Sequence, residues 1–232
     1  MAAGGKGYVV TSESAETSGA AGTAGGGGAS APGLRERKKE RTRQALSEAA
    51  IALFLERGFD AVSVAEVAAA AEVSKPTLFR YFPAKEDLVL HRFADHEDES
   101  ARVVTAGRRA GTAPLDALHA HFLDGLSRRD PVTGLCDHPA VLAYLRLLYD
   151  TPALAARMQA YQRRSEAVLA GALGGDPLGA RLAAGQIVAV LRVLAEENTA
   201  RIAAGETAEQ VEADAVAAAG LAFRALREGL PY

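Results

Sequence analysis

The 232-residue chain contains one cysteine, no tryptophan and few aromatic residues, which make up 6% of it. Because Cys136 is alone, the chain cannot form an internal disulfide or the paired-cysteine knuckle of a zinc finger. It has no run of about 18 consecutive apolar residues, and its N-terminal stretch lacks the charged start and apolar core of an export signal. These absences predict a cytoplasmic protein that does not associate with a membrane.

Basic residues are slightly outnumbered by acidic ones, and the formal net charge of −3 taken alone argues against a nucleic-acid partner. The charge is unevenly distributed, however. Residues 34–85 carry a net charge of +3, whereas residues 1–33 carry −1 and residues 86–232 carry −5. The sequence therefore divides into a basic N-terminal module and an acidic remainder.

Residues 1–33 contain 10 of the 23 glycines and show no sustained apolar periodicity, a composition that predicts a disordered tail. Beyond this tail, apolar residues recur at helical spacing and no stretch is typical of a β-strand. Turn signals of glycine, proline and aspartate separate the apolar segments. The pattern predicts an all-α protein of about nine helices, at 36–57, 64–70, 75–81, 85–108, 114–128, 138–149, 152–173, 178–203 and 207–228.

Two short helices joined by a sharp corner are predicted between Ser63 and Phe82. Ser63 and Glu66 have the spacing of a capping box, in which the serine oxygen and the glutamate carboxylate bond to free amides at a helix start. Ser74 would cap the second helix, and Pro76 falls in its first turn, where a missing N–H breaks no helical bond. Such a pair is either an ordinary helical corner with a solvated face or a helix-turn-helix whose second helix lies in the major groove of DNA.

The region from Arg43 to Leu88 carries a more specific signal. Its segments FLERGF at 54–59 and VSKPTLFRYFPAKEDL at 73–88 resemble the DNA-binding domain of TetR-type transcriptional regulators. The resemblance implies a homodimer whose N-terminal three-helix domains bind a palindromic operator on double-stranded DNA. It also implies a C-terminal helical domain that dimerises and binds a small-molecule effector, which releases a repressor from DNA. The expected domains are the tail at 1–33, the helix-turn-helix DNA-binding domain at 34–84 and the ligand-binding and dimerisation domain at 85–232.

The resemblance also assigns roles to individual residues. A lysine at the start of the second helix can donate to guanine, and a threonine methyl can meet a thymine methyl. Phosphates are held by basic side chains and by helix N-termini. The residues expected at the major groove are Lys75, Pro76, Thr77 and Tyr81, and those expected at phosphates are Arg41, Arg43, Ser63 and Lys85.

Two positions depart from the family's pattern. Glu72 stands where the turn often has glycine, so the corner must be made without a residue that favours positive φ. Phe79 stands where tyrosine is usual, which removes one hydroxyl that could reach a phosphate. Each change weakens a particular contact but leaves the expected fold intact.

The basic run at 35–43, which holds six basic residues, has two interpretations. It is either a solvated helix start, in which Glu36 and Glu40 pair with basic neighbours at helical spacing, or an arm that reaches the adjacent minor groove of DNA. The sequence leaves both open.

Residues 86–232 contain no arrangement typical of a catalytic or metal site, so the chain is predicted to be neither an enzyme nor a cofactor-binding protein. His91 and Asp95 could share a helix face, but two such ligands do not define a metal site. In the family the effector pocket lies among the central helices, which makes the candidate lining residues Phe122, Tyr144, Arg146, Tyr149, Tyr161 and Arg192. An arginine in an apolar pocket favours an anionic effector, such as a carboxylate or a thioester-linked cofactor.

The last two predicted helices are the candidates for the dimer interface. Two half-sites on DNA favour a two-fold four-helix bundle, although the apolar stripes of these helices could instead pack inward in a monomer. One stripe consists of Ile187, Leu191 and Leu194, and the other of Val211, Ala215, Ala218, Ala219, Ala222 and Leu226. The alternative to a regulator is an all-α small-molecule carrier or enzyme with incidental N-terminal helices.

Overall fold

A computed structural model describes residues 34–94 and 96–229 of the chain. The described residues form ten α-helices and a short 3-10 turn at Pro131–Thr133, and no strand occurs among them. The all-α prediction is confirmed, whereas the predicted tail at 1–33 lies outside the described residues. The helices are α1 (Leu34–Arg57), α2 (Val64–Ala70), α3 (Lys75–Tyr81), α4 (Asp87–Ala94), α5 (Glu99–Arg109), α6 (Pro114–Ser127), α7 (Pro139–Asp150), α8 (Pro152–Leu173), α9 (Pro177–Ala203) and α10 (Ala208–Glu228).

The two short helices begin where their caps predict. At α2 the Glu66 amide donates to Ser63 Oγ over 3.3 Å, and the Ser63 amide donates to Glu66 Oε2 over 2.8 Å, which completes the capping box. At α3 the Thr77 amide donates to Ser74 Oγ over 3.2 Å, and Pro76 occupies the first turn. Because each cap fixes one helix start, the predicted bounds of both helices are confirmed.

The single helix predicted at 85–108 is wrong, because the structure has α4 and α5 there, separated by a turn. The turn is acidic, and Asp98 and Glu99 lie at the start of α5, where the helix dipole favours negative charge. Arg102 Nε donates to Asp98 Oδ1 over 2.9 Å, and Arg164 on α8 donates to Glu97 over 3.0 Å. Neither glycine nor proline marks this break, so the sequence pattern gives no signal of it.

The buried apolar residues form two clusters, which do not follow the predicted domain boundary at 84. The first cluster joins α1–α4 to α7 and the first half of α8, and contains Phe54, Leu78 and Leu148. The second joins α5, α6, the end of α8, α9 and α10, and contains Leu126 and Phe223. Helix α7 and the start of α8 therefore pack on the N-terminal module.

The apolar stripes predicted for the dimer interface face inward. In α9 and α10, Ile187, Val211 and Ala219 are buried in the second cluster, and Leu191, Leu194 and Leu226 pack against it. The exposed faces carry other apolar residues: Leu178, Leu182 and Val193 on α9, and Val216 and Leu221 on α10. Both helices carry large apolar residues on their exposed faces as well as on their buried ones, so periodicity alone does not separate a dimer interface from the core.

Helix α9 is long and apolar enough to cross a membrane by length and composition, and only 11% of its most apolar window is buried. One such helix is weak evidence of a membrane span, since helices of soluble proteins meet the same criterion. An exposed apolar surface of this kind commonly marks a site of interaction.

Candidate nucleic-acid interface

Helix α3 presents a polar, basic surface at its N-terminal end. Leu78 and Phe82 are buried in the first cluster, which confirms that they face inward. Lys75 and Pro76 are exposed. This end of α3 is accessible to a large partner, while its other face is fixed by packing.

The corner before α3 is made by a residue with positive φ. Glu72 has a φ of +53°. Its amide donates to the Ala69 carbonyl over 3.1 Å, and the Val73 amide donates to the Ala68 carbonyl over 2.9 Å. This hydrogen-bond pair is a Schellman motif, in which the residue after the cap is left-handed and most often glycine. Glu72 thus adopts the conformation of the glycine that it replaces.

Phe79 extends the exposed surface of α3. The Lys75 ammonium lies 5.9 Å from the centroid of the Phe79 ring, one turn further along the helix. The ring is 41% exposed. An aromatic side chain on this surface can contact a thymine methyl. Comparison with the usual tyrosine indicates only that Phe79 lacks a hydroxyl. Its spacing of four from Lys75 nevertheless places the two side chains on the same face of the helix.

The side chains of the other two residues expected at the major groove make contacts within the protein. Thr77 Oγ1 lies 2.8 Å from Ser74 Oγ, so its hydroxyl belongs to the cap of α3. Tyr81 is half-buried and packs against the first cluster. Thr77 and Tyr81 therefore offer less surface to DNA than Lys75 and Pro76.

The four residues expected at phosphates differ in their surroundings. Arg41 is exposed, whereas the Ser63 hydroxyl and amide take part in the capping box of α2. Arg43 Nη2 donates to the Tyr81 carbonyl over 3.4 Å, and its guanidinium lies 5.7 Å from the centroid of the Phe82 ring. Arg43 thus attaches α1 to the end of α3.

Lys85 is partly buried. Its ammonium donates to the Phe59 carbonyl and lies 4.2 Å and 5.2 Å from the ring centroids of Phe59 and Phe54. Such cation–π contacts stabilise a packed side chain. In this structure Lys85 binds the loop between α1 and α2 within its own module.

Helix α4 connects this module to the C-terminal helices. Arg157 on α8 donates to both carboxylate oxygens of Asp87, over 2.9 Å and 3.0 Å. The Tyr144 hydroxyl on α7 donates to the Val89 carbonyl over 2.8 Å. Burial raises the pKa of Tyr144, so its hydroxyl remains a neutral donor. These polar contacts hold α4 against both α7 and α8.

A cavity of about 280 Å³ that is open to solvent lies between α7 and α9, and five of its nine lining residues are exposed. Of the six predicted effector-site residues, Arg146 and Tyr149 line it. Phe122 is buried in the second cluster, and Tyr144 and Tyr161 are buried in the first. The other lining residues are Leu142, Leu145, Asp150, Glu196, Thr199, Ala200 and Ala203.

The charges at this cavity largely balance. Arg192, the sixth predicted residue, donates to Glu196 over 2.7 Å, which neutralises that carboxylate. Arg146 and Asp150 are exposed. Burial raises the pKa of Tyr149, and Glu196 raises it further, so the phenol is neutral. The cavity is thus mainly apolar, with a neutral hydroxyl in its wall.

A carboxylate between two imidazoles links α5 and α6. Glu99 Oε2 lies 2.8 Å from His96 Nδ1, and Glu99 Oε1 lies 3.2 Å from His121 Nε2. Within residues 34–94 and 96–229, no group of three histidine, cysteine or carboxylate side chains could hold a metal ion. The cluster is an ion-pair arrangement that connects the turn after α4 to α6.

Residues 46–91 match the family described as bacterial regulatory proteins, tetR family. This segment is therefore a tetR-family domain. The chain is 39% identical over 136 residues to the HTH-type transcriptional regulator TcmR of Streptomyces glaucescens. The match spans 58% of each chain, so it covers little more than half of TcmR. A shorter match, 39% identical over 56 residues, covers 24% of this chain and 28% of the uncharacterised HTH-type regulator YdeS of Bacillus subtilis.

Solved structures show the same fold. The structure of NalD, the secondary repressor of the MexAB-OprM multidrug efflux pump in Pseudomonas aeruginosa, aligns with a TM-score of 0.53 and 18% identity over 79% of this chain and 97% of NalD. A complex of SmeT with triclosan aligns with a TM-score of 0.52 and 16% identity over 80% of this chain and 91% of SmeT. The predicted fold, a helix-turn-helix domain followed by a helical domain, is confirmed.

Two features of this interface are not predicted from the sequence. Phe79 lies within the motif, but the sequence pattern indicates only that its ring lacks the hydroxyl of tyrosine. The Asp87–Arg157 ion pair joins residues 70 positions apart, and no local pattern predicts a contact between them. The available signal is that Asp87 lies near the end of the motif, at the start of α4.

Proposed function

We propose that this protein is a transcriptional repressor that acts in the cytoplasm, binds a palindromic operator on double-stranded DNA as a homodimer and is released by a small-molecule effector. The observation that carries the proposal is the exposed N-terminal end of α3, with Lys75 and Pro76 on a helix that is capped and packed in place. A short helix held in this way after a corner fits the major groove. Similarity to TcmR, a transcriptional regulator, supports it.

The contacts that we propose with DNA follow from the solvent exposure of each side chain. Lys75 reads a guanine, Pro76 and Phe79 offer apolar surface to thymine methyls, and Thr77 and Tyr81 complete the surface. Arg41 and the α2 N-terminus at Ser63 contact phosphates. Arg43 and Lys85 act first as positioning residues, because each cation already binds a carbonyl of its own module.

The homodimer is proposed to form through the exposed faces of α9 and α10. On α9, Leu178 and Leu182 are 63% and 58% exposed, and on α10 Leu221 is 63% exposed. A soluble protein seldom leaves such contiguous apolar surface uncovered. Two helices from each of two subunits would cover it in a two-fold bundle. The same symmetry would present two α3 helices to two half-sites.

The effector site is proposed to be the cavity between α7 and α9. Helix α7 lines it with Leu142, Arg146 and Tyr149, while Tyr144 on the same helix binds α4. Leu145 belongs to both the cavity wall and the first cluster. A ligand that favours another position of α7 would therefore shift α4 and the separation of the two α3 helices, which lowers operator affinity.

An electrophoretic mobility shift measures the DNA-binding part of the proposal. The operator is selected from a random duplex library with the full-length protein. We expect Lys75→Ala to weaken binding by roughly 1–3 kcal/mol while preserving the fold, and Arg109→Ala, an exposed arginine on α5, to leave binding unchanged. If no specific, salt-sensitive complex forms with any duplex, the chain is instead the small-molecule carrier of the alternative.

A thermal-shift screen of small molecules tests the effector part. A compound that stabilises the protein is expected to lower operator affinity. Ala200→Phe, which fills part of the cavity, should abolish this response while operator binding persists. A stabilising compound whose effect is unchanged in Ala200→Phe would place the effector elsewhere.

A further inference from the structure

Helix α1 begins well before the part of it that packs. Among its described side chains, the first that is fully buried is Leu46, twelve residues after the helix start at Leu34. Twelve residues correspond to about 18 Å of helix. The family match also begins at residue 46. We call residues 35–41 the α1 overhang, since neither the core nor the family match includes it.

The α1 overhang is exposed and basic. Its cationic side chains, all exposed, are Arg35, Arg37, Lys38, Lys39 and Arg41. Glu40 Oε1 lies 3.3 Å from Nε2 of His91 on α4, so this carboxylate is directed towards α4. The overhang therefore presents an excess of positive charge to solvent.

The α1 overhang has a fixed position relative to the recognition surface. Arg43, two residues after the overhang, binds the Tyr81 carbonyl at the end of α3 and lies over the Phe82 ring. Ser47 Oγ, one turn further along α1, donates to the Leu88 carbonyl on α4 over 2.7 Å. The overhang therefore extends from the module beside the C-terminal end of α3, and it accompanies α3 to DNA.

We propose that the α1 overhang binds the phosphate backbone of DNA beside the groove that α3 enters. This inference rests on the proposed function. The helical conformation of residues 35–41 argues against insertion in the minor groove. A helix with its side chains is about 10–12 Å wide, whereas the minor groove is about 6 Å wide. Long basic side chains on such a helix can reach phosphates without entering a groove.

Phosphate binding has a measurable signature. Each phosphate that a protein neutralises releases counterions, and the negative slope of log K against log salt steepens by about 0.9 per contact. This contribution is independent of base sequence. Loss of two overhang contacts from each subunit of a dimer should thus reduce the magnitude of the salt slope by about 3.6, on operator and non-operator DNA alike.

The experiment compares three double variants of the full-length protein with the wild type. The operator selected above and a mixed-sequence 30-bp duplex are the probes, and binding is measured by fluorescence anisotropy across a KCl series. Arg35→Gln/Arg37→Gln removes four overhang contacts from a dimer and should lower the magnitude of the salt slope by about 3.6 on both duplexes. Arg35→Lys/Arg37→Lys, which keeps the charge, should retain the wild-type slope. The matched control is Arg109→Gln/Arg163→Gln, which removes two exposed arginines from α5 and α8 and should leave the slope unchanged.

The outcomes separate this inference from the proposed function. An unchanged slope in Arg35→Gln/Arg37→Gln, with the wild type binding its operator, overturns the overhang contact alone. A lysine variant as weak as the glutamine variant overturns phosphate binding in favour of arginine-specific insertion. Absence of a wild-type complex with either duplex overturns both proposals. Matching thermal melts of all variants ensure that slopes are compared between folded proteins.

Discussion

Glu72 turns the chain between α2 and α3 in a conformation that suits glycine. Its φ of +53° is in the left-handed region, which costs a residue with a Cβ about 1–2 kcal/mol. The side chain is exposed, so packing does not offset this cost. The family's usual glycine would adopt the same turn without it.

Glu72→Gly is therefore expected to raise the free energy of unfolding by about 1 kcal/mol, after allowance for the extra freedom of glycine in the unfolded chain. Urea denaturation at constant m-value measures this change. Glu72→Ala is the control, because it removes the same carboxylate but retains a Cβ. Equal stabilisation by both variants would assign the effect to charge instead of conformation.

Two lysines of the N-terminal module, Lys75 and Lys85, illustrate how placement changes a role. Lys75 is exposed, whereas the Lys85 ammonium is bound to the Phe59 carbonyl and two aromatic rings. We expect Lys85→Ala to lower the free energy of unfolding by about 1–2 kcal/mol, and Lys75→Ala to change it by less than about 0.5 kcal/mol. Chemical denaturation of both variants measures the difference. A Lys85→Ala protein as stable as the wild type would contradict the enclosed position of this ammonium.

At the scale of helices, the sequence predicts the helix starts that depend on a few neighbouring residues. The serine caps at Ser63 and Ser74 and the proline at Pro152 mark helix starts that the structure confirms, because a cap depends on three or four neighbouring residues. The break between α4 and α5 has no such punctuation. It depends on Glu97 and Asp98, which contact Arg164 and Arg102 in the folded chain.

The effector-site prediction shows a second limit. Tyr144 and Tyr161 resemble pocket-lining residues in sequence, but both fill the first cluster, as large aromatic side chains at helical spacing commonly do. Arg146 and Tyr149, from the same helix as Tyr144, do line the cavity. Which face of α7 meets α4 and which meets α9 is set by tertiary packing, so sequence periodicity cannot separate them.

The Glu99 cluster gives the link between α5 and α6 a pH dependence. Burial raises the pKa of Glu99, but hydrogen bonds with His121 and His96 outweigh it and hold the pKa well below its usual range. The bond to Glu99 raises the pKa of His121 above 6.5, against burial and the nearby Arg128, with Asp124 acting in the same direction as Glu99. His121 thus binds its proton more tightly in the folded protein than in the unfolded chain.

The stability from His121 is expected to be fully present below pH 6.5 and to be lost as pH rises through the higher folded pKa. His121→Gln should therefore reduce the decline in unfolding free energy between acidic and mildly alkaline pH. Chemical denaturation of both proteins at a series of pH values measures how the unfolding free energy changes with pH. His119 contributes with the opposite sign, because burial and Arg227 lower its pKa, so the difference between wild type and variant isolates His121. A difference that does not vary with pH would contradict this assignment.

At the scale of the whole molecule, the exposed faces of α9 and α10 determine assembly. Leu182 and Leu221 are both largely exposed in the subunit. Replacing each of them by glutamate should leave the subunit folded but place like charges in the proposed bundle. We expect Leu182→Glu/Leu221→Glu to sediment as a monomer and to bind the operator at least tenfold more weakly, since one half-site remains.

Analytical ultracentrifugation of this variant and of a control checks the assembly. The control is Leu55→Glu, an apolar residue of similar type exposed on α1, and it should sediment as the wild type does. Dimers in both variants would show that a different surface joins the subunits.

The shared first cluster constrains how this regulator can be recombined with others. Leu46 and Phe54 of α1 belong to the same core as Leu148 of α7 and Leu154 of α8, so a chimaera joined at residue 84 would pair each half with a foreign surface. Each large side chain left without its partner creates a cavity that costs about 2–5 kcal/mol. Transfer of the whole N-terminal module to another regulator therefore requires that α7 and the start of α8 be transferred with it, or that the packing between them be redesigned.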